Sequence, residues 1–220
     1  MLNALLEKGV DPSTRPAKPS NGETALHFAV RRNSIAMVER LLQASAPLNF
    51  PDDRSSTLLG EAAYGGSVHI ARLLLEHGAK VEGSSTSNRP LFEAISSPNS
   101  GTRPQMMKLL IEWRANVNAK DDCEPSLLFH TVRRDYFPEA KLLLAAGANI
   151  NAIMSHGYTA LNYAINARSL SQFQFLTENG ADIPPMESLS FSEKAGLKWL
   201  LNAAEEAREK EAKASLSKVS

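Results

Sequence analysis

Asn21-Gly22-Glu23-Thr24-Ala25-Leu26-His27-Phe28-Ala29-Val30 decides the fold, because the chain returns to the same pattern four more times. Leu26, Leu59, Leu91, Leu128 and Leu161 open similar stretches, at spacings of 33, 32, 37 and 33 residues. A period of this size marks a stacked repeat array rather than one globular core. Within the unit, Gly22 suits a turn that needs positive φ. Thr24 is placed to cap a helix, and Leu26, Ala29 and Val30 sit at helical spacing on one face. Asn33-Ser34 breaks the pattern. Ile35, Val38, Leu41 and Leu42 then fall at i, i+3, i+6 and i+7, which predicts a second helix with one buried stripe. The next unit repeats the grammar with Thr57, Leu59, Ala62 and Ala63, then Gly66, Val68, Ala71, Leu74 and Leu75. Gly78 follows as the left-handed residue expected just past a helix end.

These residues resemble the ankyrin repeat. The marks are Gly22-Glu23-Thr24-Ala25-Leu26-His27-Phe28-Ala29, Leu74-Leu75-Glu76-His77-Gly78-Ala79, Leu143-Leu144-Ala145-Ala146-Gly147-Ala148-Asn149-Ile150-Asn151 and Gly157-Tyr158-Thr159-Ala160-Leu161. The resemblance covers roughly residues 2 to 183. It implies an all-α repeat solenoid: stacked helix-turn-helix units with β-hairpin-like finger loops. Departures are plain. The His position holds Gly60, Phe92, Phe129 and Asn162 in the later units, and Arg89 and Arg114 take the usual Thr and Gly positions of the third. Ser96 to Pro104 carries about four extra residues whose Pro and Gly forbid continuous helix, so a bulging loop and a soft joint are expected there.

The expected organisation is a partial repeat and Pro-rich linker over 1–20, then five repeats over 21–183, at about 21–53, 54–86, 87–122, 123–155 and 156–183. A capping helix is expected over 184–205 and a charged tail over 206–220. The chain opens in mid-unit at Leu5-Leu6-Glu7-Lys8-Gly9, so residues before Met1 or a ragged end are expected.

Composition narrows the function. With 24 Lys+Arg against 24 Asp+Glu the net charge is zero, which does not support long-range attraction to nucleic acid or an anionic membrane. Cys123 is the one cysteine, so no internal disulfide forms; a cytoplasmic or nuclear home is expected. No run approaches a membrane span. Phosphate-loop, dinucleotide, zinc-protease and nucleophile-elbow motifs are absent. No enzymatic activity, cofactor or metal is expected. His27 reads as part of the repeat turn, and the pairs Asp52-Asp53 and Asp121-Asp122 as solvated loop tips.

A partner protein is therefore the expected ligand, with the chain itself a monomer. The resemblance implies that loops form fingers and first helices line a concave palm. Candidate binding residues on the fingers are Phe50, Asp52, Arg54, Lys120, Asp122, Ile153, Met154, His156 and Tyr158; on the palm-side helix ends they are Arg31, Arg32, Arg133 and Arg134. Bulky loop residues suit interface anchors, and the Arg pairs point to an acidic or phosphorylated segment. The residues before each Thr position, Glu23, Ser56, Asn88, Pro125 and Tyr158, are expected to face the palm. Two other readings stay open: an accessory domain or fragment of a larger enzyme, or a ubiquitin-ligase substrate adaptor whose effector part lies outside this chain.

Overall fold

The computed structural model describes residues 24–49, 57–82, 89–119, 126–154 and 157–216. The chain divides into two compact units, Met1–Glu124 and Pro125–Ser220. Among the described residues there is helix and turn but no strand.

The first unit holds α1 (Ala25–Arg31), α2 (Ile35–Gln43), α3 (Leu58–Tyr64), α4 (Val68–Glu76), α5 (Pro90–Ser96) and α6 (Arg103–Glu112). Each odd helix packs on the even helix that follows it. The odd helices stack α1 on α3 on α5, and the even ones α2 on α4 on α6. Leu26, Leu59 and Leu91 are buried between the first helices, and Ala29, Ala62 and Ala94 keep the approach close. Val38, Leu41, Leu74, Leu75, Met106 and Leu110 fill the layer below. Ile35 departs from its predicted stripe: at the first position of α2 it is 40% exposed.

Local chemistry explains where several first helices start and where the second helices stop. Thr57, Ser126 and Thr159 accept the backbone N–H of the third helical residue, at 3.1 to 3.3 Å. His27 is fully buried and completes the first cap: its Nδ1 accepts the Thr24 N–H at 3.2 Å and lies 2.9 Å from Thr24 Oγ1. Asn162 does the same in the last repeat, its Oδ1 accepting from Thr159 N and Oγ1 at 3.0 and 2.8 Å. Arg89 supplies no side-chain cap, but Pro90 follows at the first helical position, where no N–H needs a partner.

The second helices end alike. Ala46, Ala79, Ala115, Ala148 and Ala181 donate to Leu41, Leu74, Leu110, Leu143 and Leu176 at 2.9 to 3.0 Å. The residue before each alanine is left-handed, with Ser45 and Arg114 adopting it as well as Gly78, Gly147 and Gly180.

The insertion in the third repeat leaves the helix as expected, but it does not stand off as a bulge. Asn99 Nδ2 donates to the Gly65 carbonyl at 2.7 Å, and the nearly buried Arg103 donates to the Ser97 carbonyl at 3.0 Å. Gly66 permits this. Its φ is +71°, and a Cβ there would run into Thr102 Oγ1 and lie 3.1 Å from Asn99. The segment is thus laid down on the preceding repeat.

The second unit holds α7 (Leu127–Arg133), α8 (Phe137–Ala145), α9 (Ala160–Ala167), α10 (Leu170–Glu178), a 3-10 turn (Met186–Ser188) and α11 (Phe191–Leu216). α7 packs on α8 and α9, α9 on α10, and α11 on both α9 and α10. Leu197, Leu200 and Ala204 are buried under α11. Close approach depends on Gly196, where a Cβ would sit 2.8 Å from the Ile165 carbonyl oxygen. The helix runs through to Leu216, so position 205 marks where burial stops rather than where helix stops.

Adjacent exit turns are tied by side chains. Asn49 donates to the Gly78 carbonyl at 3.3 Å and accepts from Lys80 N at 3.0 Å. Asn151 accepts from Asp182 N at 3.0 Å, and Glu82 accepts from Asn116 N at 2.7 Å. After α8, Met154 N–H donates to the Tyr158 carbonyl at 2.7 Å and Gly157 N–H to the Met154 carbonyl at 3.2 Å.

Candidate protein-binding surface

Six of the predicted contact residues, Phe50, Asp52, Arg54, Lys120, Asp122 and His156, lie outside the described residues, as do Glu23, Ser56, Asn88 and Pro125. The others fall into two groups, one in each unit.

In the first unit Arg31 and Arg32 are exposed at the end of α1. The Arg32 guanidinium sits 5.0 Å from the centre of the Phe28 ring, itself 46% exposed. Arg31 instead turns toward a groove it lines with Tyr64, Glu61 and Glu93. Burial holds the Glu93 carboxyl above the usual glutamate range. Glu61 and Glu93 were not foreseen as surface determinants. The signal was there: both stand two residues after the repeat leucine, the register shared by Phe28, His130 and Tyr163.

In the second unit Arg133 and Arg134 are exposed at the end of α7, where positive charge also complements the helix dipole. The Arg133 guanidinium lies 5.9 Å from the Phe129 ring centre, and Arg134 Nη1 donates to His130 Nδ1 at 3.0 Å. Both guanidinium groups are thus held by their own helix. A backbone hydrogen bond joins Met154 to Tyr158, and the neighbouring Ile153 is 63% exposed.

Tyr158 differs from expectation. It is 41% exposed, yet its hydroxyl is among the groups that lower the Glu193 carboxyl at the start of α11, the least of them. Glu193 also accepts from Ser190 N at 2.9 Å and Asn166 Nδ2 at 3.3 Å, and from the Ser190 hydroxyl. These bonds, the Ser190 hydroxyl first, hold its carboxyl below the usual glutamate range. Tyr158 therefore acts on Glu193 as well as standing at the surface.

Among the described residues no group of three His, Cys, Asp or Glu side chains is placed to hold a metal ion. No described helix is long and apolar enough to cross a membrane.

Within each unit, helix pairs packed one on the next, with left-handed exits, define an all-helical repeat array. The family model described as "Ankyrin repeats (3 copies)" matches residues 1–84, 46–121 and 91–186, and the chain belongs to the ankyrin repeat family. A putative ankyrin repeat protein of Acanthamoeba polyphaga mimivirus is 27% identical over 188 residues, covering 82% of this chain and 24% of that protein. An ankyrin repeat protein of Neurospora crassa is 28% identical over 192 residues, covering 84% of this chain and 18% of that one. Human ankyrin repeat and SOCS box protein 6 is 26% identical over 176 residues, covering 76% of this chain and 41% of that protein. The chain thus spans less than half the length of these relatives. The crystal structure of the human ASB11 ankyrin repeat domain matches with a TM-score of 0.70 at 22% identity, over 90% of this chain and 91% of that one. Ankyrin repeats are protein–protein interaction modules.

Proposed function

We propose that the chain is a non-catalytic scaffold or adaptor that captures a partner protein through its fingers and concave face, recognising an acidic or phosphorylated segment. The supporting observation is the Arg133–Arg134 pair, exposed yet steadied by Phe129 and His130. A guanidinium held in place loses less freedom on binding and offers a fork of donors to carboxylate or phosphate. Ile153 and Met154 supply apolar area on the finger of the same unit. Anisotropy of labelled acidic and phosphoserine peptides tests this. Saturable binding lost in Arg133→Ala/Arg134→Ala, with an unchanged unfolding curve, is expected; equal binding by that variant refutes the reading. The lone Cys123 fits a reducing compartment such as the cytoplasm or nucleus, and the chain is read as a monomer.

A second reading is favoured by the greater length of the relatives. Here the chain is the recognition domain of a larger enzyme or of a ubiquitin-ligase substrate adaptor whose effector part lies outside it. Tracing the full-length gene product separates the two.

A further inference from the structure

α11 packs on α9 and α10 and buries Leu197, Leu200 and Ala204 against them. The opposite face of such a terminal helix meets water, and in a capped array it is ordinarily polar. Beyond Asn202 the exposed face obeys this rule, with Glu205, Glu206, Arg208, Glu209 and Lys210. From Phe191 to Asn202 it does not. Phe191 is 91% exposed and Trp199 48%, with the exposed Ala195 midway between them. The three fall at i, i+4 and i+8 on one face, about 12 Å from end to end. Two rings on either side of a methyl group leave a notch at Ala195. Lys194 and Lys198 run alongside, three residues after Phe191 and Ala195. Among the described residues neither ammonium has a hydrogen-bond or ion-pair partner. Glu193, the carboxylate of this stretch, is buried and accepts from Ser190 and Asn166. The exposed strip from Phe191 to Asn202 is therefore apolar and net positive.

We propose that this strip docks a short acidic segment of a partner protein, one that carries a bulky apolar side chain beside its carboxylates. Such docking rests on the chain being a protein-binding module, but it uses a different helix from the Arg133–Arg134 pair. The apolar side chain enters the notch at Ala195 and covers both rings, which supply most of the area. The carboxylates meet Lys194 and Lys198, which stand one turn apart. Each exposed ion pair adds little energy, but together they select the sign of the partner and fix its register. Glu205, Glu206 and Glu209 repel an acidic segment further along the helix, which confines it to the stretch before Asn202. The same carboxylates weigh against an anionic membrane, whose plane would meet them together with the lysines.

The test follows the indole N–H signals of the isotopically labelled full chain by NMR. Trp199 is the reporter and Trp113, in the first unit, the reference; the chain has no other tryptophan. The probe is acetyl-Asp-Glu-Leu-Phe-Glu-Asp-amide. One counterpart carries Asn and Gln in place of its acids, and the other Ser-Ser in place of Leu-Phe. The acidic peptide should shift Trp199 saturably and leave Trp113 in place, with both counterparts binding more weakly. Lys194→Gln/Lys198→Gln should weaken it about fivefold, the loss of two exposed ion pairs. Phe191→Ala should weaken it too while keeping both lysines. Equal binding of either counterpart, an equal shift at Trp113, or an unchanged response in either variant overturns the proposal. So does a dimer in sedimentation that Phe191→Ala dissociates, or a Trp199 shift with phosphatidylserine vesicles and none with the peptide. The Ser-Ser counterpart reads the arginine pair alone. If Arg133→Ala/Arg134→Ala leaves its anisotropy unchanged while the Trp199 response stands, only the preceding section's reading falls.

Discussion

Leu74→Ala tests the stack at its centre. Leu74 is fully buried on α4, which packs against α2 on one side, α6 on the other and α3 of its own repeat. The substitution removes three carbons, a transfer loss of about 2.4 kcal/mol at roughly 0.8 kcal/mol per methylene. Two flanking second helices would both have to move to close the void, so a cavity cost is added. The expected loss is about 3–4 kcal/mol, inside the roughly 2–5 kcal/mol range for such changes. That is a large part of the about 5–15 kcal/mol that holds a domain folded. Urea unfolding followed by far-ultraviolet circular dichroism reads the total. Amide exchange reads the distribution: in a stacked array the loss spreads to neighbours, so protection should fall in α2, α3 and α6 as well as α4. The half-buried Leu73 is the control, and Leu73→Ala should cost under about 1.5 kcal/mol. A loss below about 1 kcal/mol at Leu74, or unchanged protection in α2 and α6, refutes the stacking argument.

Gly66→Ala should destabilise by about 1–3 kcal/mol in urea, since φ is +71° and the added Cβ meets Thr102 and Asn99. Gly101→Ala, with nothing within 4 Å, should be nearly silent. The lowered carboxyl of Glu193 stabilises α11 fully above the ordinary value of 4.5 and loses that contribution as pH falls through its depressed folded value. Protection factors of the first-turn amides of α11, taken relative to intrinsic exchange at each pH, should fall on acidification, and Glu193→Gln should abolish that pH step; Tyr158→Phe should raise the Glu193 carboxyl toward its ordinary value by carbon NMR. The raised carboxyl of Glu93 has the opposite sign: acidification through its folded value toward 4.5 should favour the folded first unit. A direct carboxyl titration at or below 4.5 would contradict the burial seen around it.

What was readable in the chain is what local chemistry decides. The leucine register, the alanines between first helices and the glycine exits need only neighbours within a turn, so Leu26, Ala62 and Gly78 stand where the pattern puts them. Even the substitutions obey local rules. Asn162 can replace His27 because both carry an acceptor that reaches the cap residue three positions back. Ile35 fails for a local reason too, since the first helical position lies at the rim of the buried stripe. The insertion and the palm were less readable because their partners are distant in the chain. Asn99 finds the Gly65 carbonyl 34 residues away, and only the repeat stacking brings them together.

Tyr158 shows how this bears on function. A bulky aromatic on a loop resembles an interface anchor, yet its hydroxyl serves Glu193, 35 positions further along. Truncating it would alter the surroundings of Glu193 and any contact surface together, so lost binding in Tyr158→Ala could not be assigned to either. Arg133 and Arg134 are cleaner probes because their visible contacts are to Phe129 and His130 of the same helix, and no other described helix depends on those contacts for its cap. Exposure alone does not mark a binding residue in a stacked array. The stronger mark is an exposed group whose removal leaves the joints between repeats intact, and on that criterion the arginine pair outranks the tyrosine.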